Sequence, residues 1–130
     1  MKKITRSTYK QDKYYPKVVS AVEQLLADRS MVVPVEVFIQ IGYLTREDYE
    51  AWRFGRVPYL ERVIRCNLSK ATRILRILRL HAENRGLRPS QTVYTKWGKG
   101  QRIRLQFSKS GNSAVEALYA THYLANSGDD

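Results

Sequence analysis

The chain has 130 residues, 43% of them hydrophobic, which suits one domain with one buried core. Its single cysteine, Cys66, excludes an internal disulfide and fits a reducing cytoplasm, and no apolar run approaches the roughly 20 residues of a membrane span. The net charge of +11 is unevenly placed: Arg53 to Lys109 holds 15 Lys/Arg against only Glu61 and Glu83, a local +13, which is the footprint of a polyanionic partner.

Residues 1–13 are basic and aperiodic, with Lys2, Lys3, Arg6, Lys10 and Lys13, and predict a mobile arm. No apolar segment follows Met1–Thr5, so a signal peptide is not expected. One domain is expected over 14–126, and Ser127-Gly128-Asp129-Asp130 reads as a polar tail. Pro16 suits the first turn of a helix whose stripe is Val18, Val22, Leu25 and Leu26, ended by Asp28-Arg29-Ser30. Val32–Leu44 has two readings. Alternation of Val33, Val35, Val37, Ile39 and Ile41 favours a strand; Pro34 with Val35, Phe38 and Ile41 favours a short helix ending at Gly42. The helix is adopted, because the next segment is also helical. Thr45 and Asp48 are spaced as a capping box, with Tyr49 and Trp52 inward. Ile39–Arg53 is set aside as a DNA-reading helix-turn-helix, since Glu47, Asp48 and Glu50 repel phosphate. Pro58 is expected to open a positioning helix with Leu60, Val63 and Ile64 inside and Arg62 and Arg65 outside.

The spacing then predicts a basic amphipathic helix over 69–85. Ser69 is the expected N-cap, and Gly86 sits at the left-handed position beyond the end. Ala71, Ile74, Leu75, Leu78 and Ala82 form one apolar stripe. Thr72, Arg73, Arg76 and Glu83 fall opposite, Arg79 lies at the border, and Ile77 and Leu80 need separate cover. A basic hairpin is predicted over 92–107. Val93, Thr95 and Trp97 share one face of its first strand, and Ile103, Leu105 and Phe107 one face of its second. Gly98 and Gly100 supply positive φ around Lys99, so Lys96, Lys99, Arg102 and Arg104 cluster outside and at the tip. Asn112 or Ser113 caps a last helix, Ala114–Tyr123.

A capped helix with Arg73 and Arg76 outward, followed by a hairpin with a lysine at its tip, resembles the winged helix-turn-helix, in particular that of the MarR-type bacterial regulators. There a Leu-Ser-Lys-x-Thr run opens the recognition helix and an Arg-Gly-Leu run closes it. Leu68–Thr72 and Arg85–Leu87 match those runs, and Ser108-Lys109-Ser110-Gly111 is similar to the segment after their wing. The likeness covers about Pro58 to Leu118. It implies a mainly α protein with one β-hairpin, an α+β winged-helix-like domain that binds double-stranded DNA and regulates transcription, as a homodimer; the Val18–Leu26 helix is read first as core, and it and the last helix are the candidates for a two-fold interface.

In that reading Lys70, Arg79, Lys96 and Lys99 neutralise phosphates, with Arg102 and Arg104 completing the wing. Thr72, Arg73 and Arg76 read base edges, and the N–H groups after Ser69 hold a phosphate. Two other readings stand beside it. One is RNA binding, with Tyr94 and Trp97 stacking unpaired bases. The other is a basic interaction module of a phage, plasmid or defence assembly. No cofactor, metal site or enzymatic role is expected. His81 and His122 lie far apart, His81 suits a helix surface or interface, and Gly98-Lys99-Gly100 is a turn rather than a P-loop. No tyrosine is singled out by an arginine and histidine constellation. Cys66 suits a buried structural role better than a redox sensor.

Overall fold

The computed structural model describes residues 3–126; the expected tail, 127–130, lies outside them. Five helices and three short strands follow in the order α1 (Tyr15–Arg29), β1 (Met31–Val32), α2 (Pro34–Ile41), α3 (Arg46–Arg53), α4 (Leu68–Asn84), β2 (Arg88–Gln91), α5 (Ser113–Ala120) and β3 (Thr121–Leu124). The fold is α+β. The sheet is antiparallel with order β1-β3-β2, so the last strand lies between the two earlier ones. Met31 pairs with Leu124, and Arg88 to Gln91 pair with Leu124 back to Thr121. Pro89 is tolerated because β2 is an edge strand, where a missing N–H breaks no second ladder.

Helix α4 is the centre of the molecule. Ala71, Ile74, Leu75, Leu78 and Ala82 are buried as the periodicity predicts, and Ile77 and Leu80 are buried too. Their cover comes from α1 on one side and α5 on another. The stripe of α1, Val18, Val22 and Leu25, is therefore buried within the chain. A second core is aromatic. Phe107 stacks on Tyr119 at 5.4 Å, Trp52 lies 5.1 Å from Phe107, and Phe38 stacks on Tyr119 at 5.9 Å. It ties α2, α3 and α5 to the limb ending at Phe107.

Several local expectations hold. The helical reading of Pro34–Ile41 is the one adopted, with Gly42 left-handed at φ 99°. The Thr45 hydroxyl accepts from the Asp48 N–H at 3.0 Å, and Asn112 caps α5. Gly86, beyond α4, has φ 72°.

Others are corrected. The N-cap of α4 is Asn67, whose side chain accepts from the Lys70 N–H at 2.8 Å, so the helix starts at Leu68, two residues earlier than an N-cap at Ser69 allows. The positioning helix does not form. Only a 3-10 turn, Leu60–Arg62, is present. Leu60 and Glu61 instead donate their N–H groups to the carbonyls of Gln106 and Phe107, at 3.2 and 2.9 Å. That pairing with a distant limb outcompetes the local helical hydrogen bonds. The last helix stops at Ala120, and Thr121–Leu124 become the central strand. Described residues 3–13 are tied down rather than forming a free arm: Tyr9 is buried, a 3-10 turn covers Tyr9–Gln11, and Asp12 pairs with Arg73.

Candidate nucleic-acid interface

The exposed side of α4 is narrow, because most of the helix is buried. Arg76 and Arg79 are exposed on it, with Thr72 half-buried and Glu83 exposed further along. Both arginines border a groove of about 680 Å³ walled by Leu87, Pro89, Ala117 and Leu118. A second groove, lined by Arg104, Gln106 and Glu116, shares Gln91 and Ala117 with the first. Arg76 and Arg79 thus border one depression and Arg104 its neighbour, the two separated by Gln91 and Ala117.

Arg73 is not part of this face. Its side chain is 16% exposed and its Nε donates to Asp12, which is 3% exposed. The expectation that Arg73 reads bases is therefore corrected. A one-residue offset of 100° from the exposed stripe turns it toward the N-terminal segment, 61 residues away in sequence. Lys70 is half-buried and lines a small cavity with Lys3, Lys13, Arg73 and Asp12. Ser69 is exposed in the first turn.

The hairpin is shorter than its sequence suggests. Thr95 and Arg104 form an isolated antiparallel bridge, flanked by the Lys96 N–H donating to the Ile103 carbonyl and the Leu105 N–H to the Tyr94 carbonyl, both at 2.8 Å. Gly98 and Gly100 take φ of 105° and 110°, as the turn requires. Lys99, Arg102 and Arg104 are exposed there, and Lys96 is half-buried with its stem across Gly55. Leu105 and Phe107 face the core as expected, but Val93 and Ile103 are exposed and Tyr94 is buried. Tyr94 is drawn inward by Phe107 at 5.0 Å and Trp52 at 5.6 Å, and its hydroxyl lies 2.7 Å from His122 Nε2. It cannot stack on an unpaired base.

The base of the hairpin is fixed by residues whose roles the sequence did not signal. Arg53 donates to the Tyr49 hydroxyl at 3.1 Å and the Thr95 carbonyl at 3.2 Å, while its guanidinium sits 4.5 Å from the Trp97 ring centre and 4.8 Å from that of Tyr94. The Arg53 carbonyl accepts from the Trp97 N–H at 2.7 Å. Two carboxylates hold the next loop. Glu61, 7% exposed, accepts from the Lys109 N–H at 2.9 Å and the Tyr119 hydroxyl at 2.8 Å. Glu116 accepts from the Phe107 and Ser108 N–H groups and the Ser108 hydroxyl. An isolated acid among basic residues was the available signal for Glu61.

The electrostatics follow. Of the two acids in the basic stretch, Glu61 points into the core and Glu83 pairs with Arg6 at 3.3 Å. Arg65 pairs with Asp48, Arg73 with Asp12 and Arg85 with Glu23. Among the described residues, Arg76, Arg79, Lys99, Arg102 and Arg104 make no ion pair, so their charge faces solvent uncompensated.

Several titratable groups lie wholly or partly inside the fold. Tyr94, His122 and Arg53 meet beside a cavity of about 350 Å³, a juxtaposition the sequence did not single out. Burial, however, pushes the Tyr94 hydroxyl far above its usual range, and burial lowers His122, which leaves a phenol beside a neutral imidazole. His81 is buried, not on the surface as expected; desolvation lowers its pKa, opposed by its contact with Glu23. Cys66 is half-buried, and burial pushes its thiol up, which disfavours a reactive thiolate. Among the described residues, no group of three or more His, Cys, Asp or Glu could hold a metal ion, and no helix is long and apolar enough to cross a membrane. No protein-family model, curated protein sequence or solved structure matches the chain.

Proposed function

We propose that this protein binds double-stranded DNA through the exposed stripe of α4 and the basic hairpin, and that it acts as a transcriptional regulator of winged-helix type. The observation that carries the reading is the uncompensated charge of Arg76, Arg79, Lys99, Arg102 and Arg104 beside acids that are buried or already paired. Phosphate neutralisation by such residues releases counterions and gives affinity that falls steeply with salt. Arg76 has the donor fork to contact guanine O6 and N7, and Arg79 lies one turn further along the same face. The hairpin leaves directly from β2 and precedes α5, which puts a basic loop next to the sheet edge in the sequence position of a wing after α4. Its pairing is a single bridge, so it acts as a basic loop more than as a sheet extension.

A homodimer would use α5, whose Ala114 and Ala117 are exposed, because the α1 stripe is covered inside the chain. The deciding experiment is selection of bound sequences from a random duplex library at stated salt, followed by a salt titration. Enrichment of one sequence that Arg76→Ala relaxes at one base pair is the expected result. Binding with no salt dependence, or none at all, overturns the reading.

A further inference from the structure

Phe54 and Trp97 are large aromatic side chains left 40% and 37% exposed. They are not loose. Phe54 closes α3, and its ring meets the Trp97 ring edge-on at 5.6 Å. Tyr49 supports Trp97 from a second direction at 5.8 Å, and the Trp97 N–H is fixed on the Arg53 carbonyl. The Arg53 guanidinium lies 4.5 Å from the Trp97 ring centre, and that of Arg56 5.3 Å from the Phe54 ring centre. The backbone of Gly98 runs close by: a methyl added there would sit 3.9 Å from the Phe54 ring. Ile103, half exposed, joins the same turn through its carbonyl bond to Lys96.

A rigid aromatic pair held open to water has no use in the core that lies behind it. Its surroundings define the occupant. Arg56 lies over the Phe54 ring, the Lys96 stem crosses Gly55 next to it, and Lys99 and Arg102 are exposed on the hairpin that carries Trp97; the nearest acid in sequence is Glu50, one helical turn before Phe54. Aromatic faces beside cations match the two parts of a nucleotide, a flat base and a phosphate. In an intact duplex the base faces are already stacked on one another and cannot reach such a platform. The matching partner is a base outside the stack.

We infer that the Phe54–Trp97 pair is a stacking platform for an unpaired base, and that the protein engages DNA at a locally single-stranded stretch. The inference rests on the DNA-binding reading above and adds the state of the DNA. Duplex phosphates lie along Arg76, Arg79 and the hairpin cations, and the unpaired base lies over the aromatic pair.

The test uses the full chain and three ligands of one sequence: an intact duplex, the same duplex with a short unpaired bubble, and the corresponding single-stranded RNA. Of the two tryptophans, Trp52 is fully buried, so quenching of intrinsic fluorescence by stacking reports on Trp97. The bubble is expected to bind about tenfold more tightly than the duplex and to quench this fluorescence. Phe54→Ala is expected to stay folded with a melting temperature a few degrees lower, to keep the duplex affinity measured well below it, and to lose the bubble preference. Trp97→Leu is expected to lose the same preference. Equal affinity for bubble and duplex, or a preference that survives both substitutions, overturns the inference while leaving the duplex reading intact. Tightest binding to RNA overturns the assignment to DNA, and absence of binding to any of the three overturns both.

Discussion

Arg73 and Arg76 are three residues apart on one helix, yet the structure gives them opposite consequences. Arg76 is exposed and makes no ion pair among the described residues, so Arg76→Ala is expected to leave stability within about 0.5 kcal/mol of the parent. Arg73 is the partner of an Asp12 carboxylate that is 3% exposed. Truncating it strands that charge in the interior, and breaking a buried pair from one side costs about 3–5 kcal/mol. With Arg73 itself 16% exposed, some water reaches the gap, which places the expectation near ~3 kcal/mol. For a domain of this size that is a fall in melting temperature on the order of 10 °C. The assay is thermal and urea unfolding of Arg73→Ala, Arg76→Ala and the double variant Asp12→Asn with Arg73→Met. The double variant removes both charges and should recover most of the loss. DNA affinity measured well below the melting point should fall for Arg76→Ala and hold for Arg73→Ala. If Arg73→Ala melts with the parent and binds as weakly as Arg76→Ala, the buried pair is not formed in solution and Arg73 belongs to the binding face.

Lys99 is a flexible point charge at the hairpin tip, so Lys99→Ala should weaken binding to every duplex alike and reduce the slope of log K against log salt by about one unit in a titration. Glu61→Ala leaves the Tyr119 hydroxyl and the Lys109 N–H without their acceptor and should cost about 2–4 kcal/mol in urea unfolding, with Glu61→Gln costing less because its amide can meet both groups. His81 and His122 both have pKa values lowered by burial from the ordinary 6.5, so the unfolded chain binds protons more readily below that point. Their contribution to stability is therefore complete above about pH 6.5 and is lost as pH falls through the depressed folded values, which calorimetry at about pH 7.5 and pH 5.5 would register as a lower melting temperature on the acid side. A flat profile, or one unchanged in His81→Gln, would remove His81 from that account.

What could be read from the sequence was local. The body of α4, its Gly86 terminus, the Pro34 helix and the glycine turn around Lys99 each follow from spacing or from a residue suited to one backbone position. What could not be read was set by partners distant in the chain. The burial of Arg73 depends on Asp12, and the loss of a helix after Pro58 depends on carbonyls of Gln106 and Phe107. Strands of two to four residues carry too little alternation to stand out, and Thr121–Leu124 continue the apolar pattern of α5 closely enough to pass for its last turn. Tyr94 and Val93 exchange faces because the aromatic core offers Tyr94 both ring contacts and a hydroxyl partner in His122. For the exposed basic face, charge alone marked the region but could not separate Arg73 from Arg76.

The position of β3 also sets the order in which the molecule can be made. Among the described residues, β1 and β2 do not pair with each other, and the ladder partner of each is Thr121–Leu124. During synthesis β1 emerges early and β2 well before β3, so both wait with unsatisfied edges until the late strand arrives to fill the gap between them. Helices α1, α2 and α4 can assemble meanwhile from nearer contacts, whereas Met31 must find Leu124 across most of the chain, a closure that carries a high entropic cost and slows folding. A chain whose helices have packed before Thr121–Leu124 docks would leave an open slot in its sheet, the place where an extended segment of another chain would enter in a domain swap.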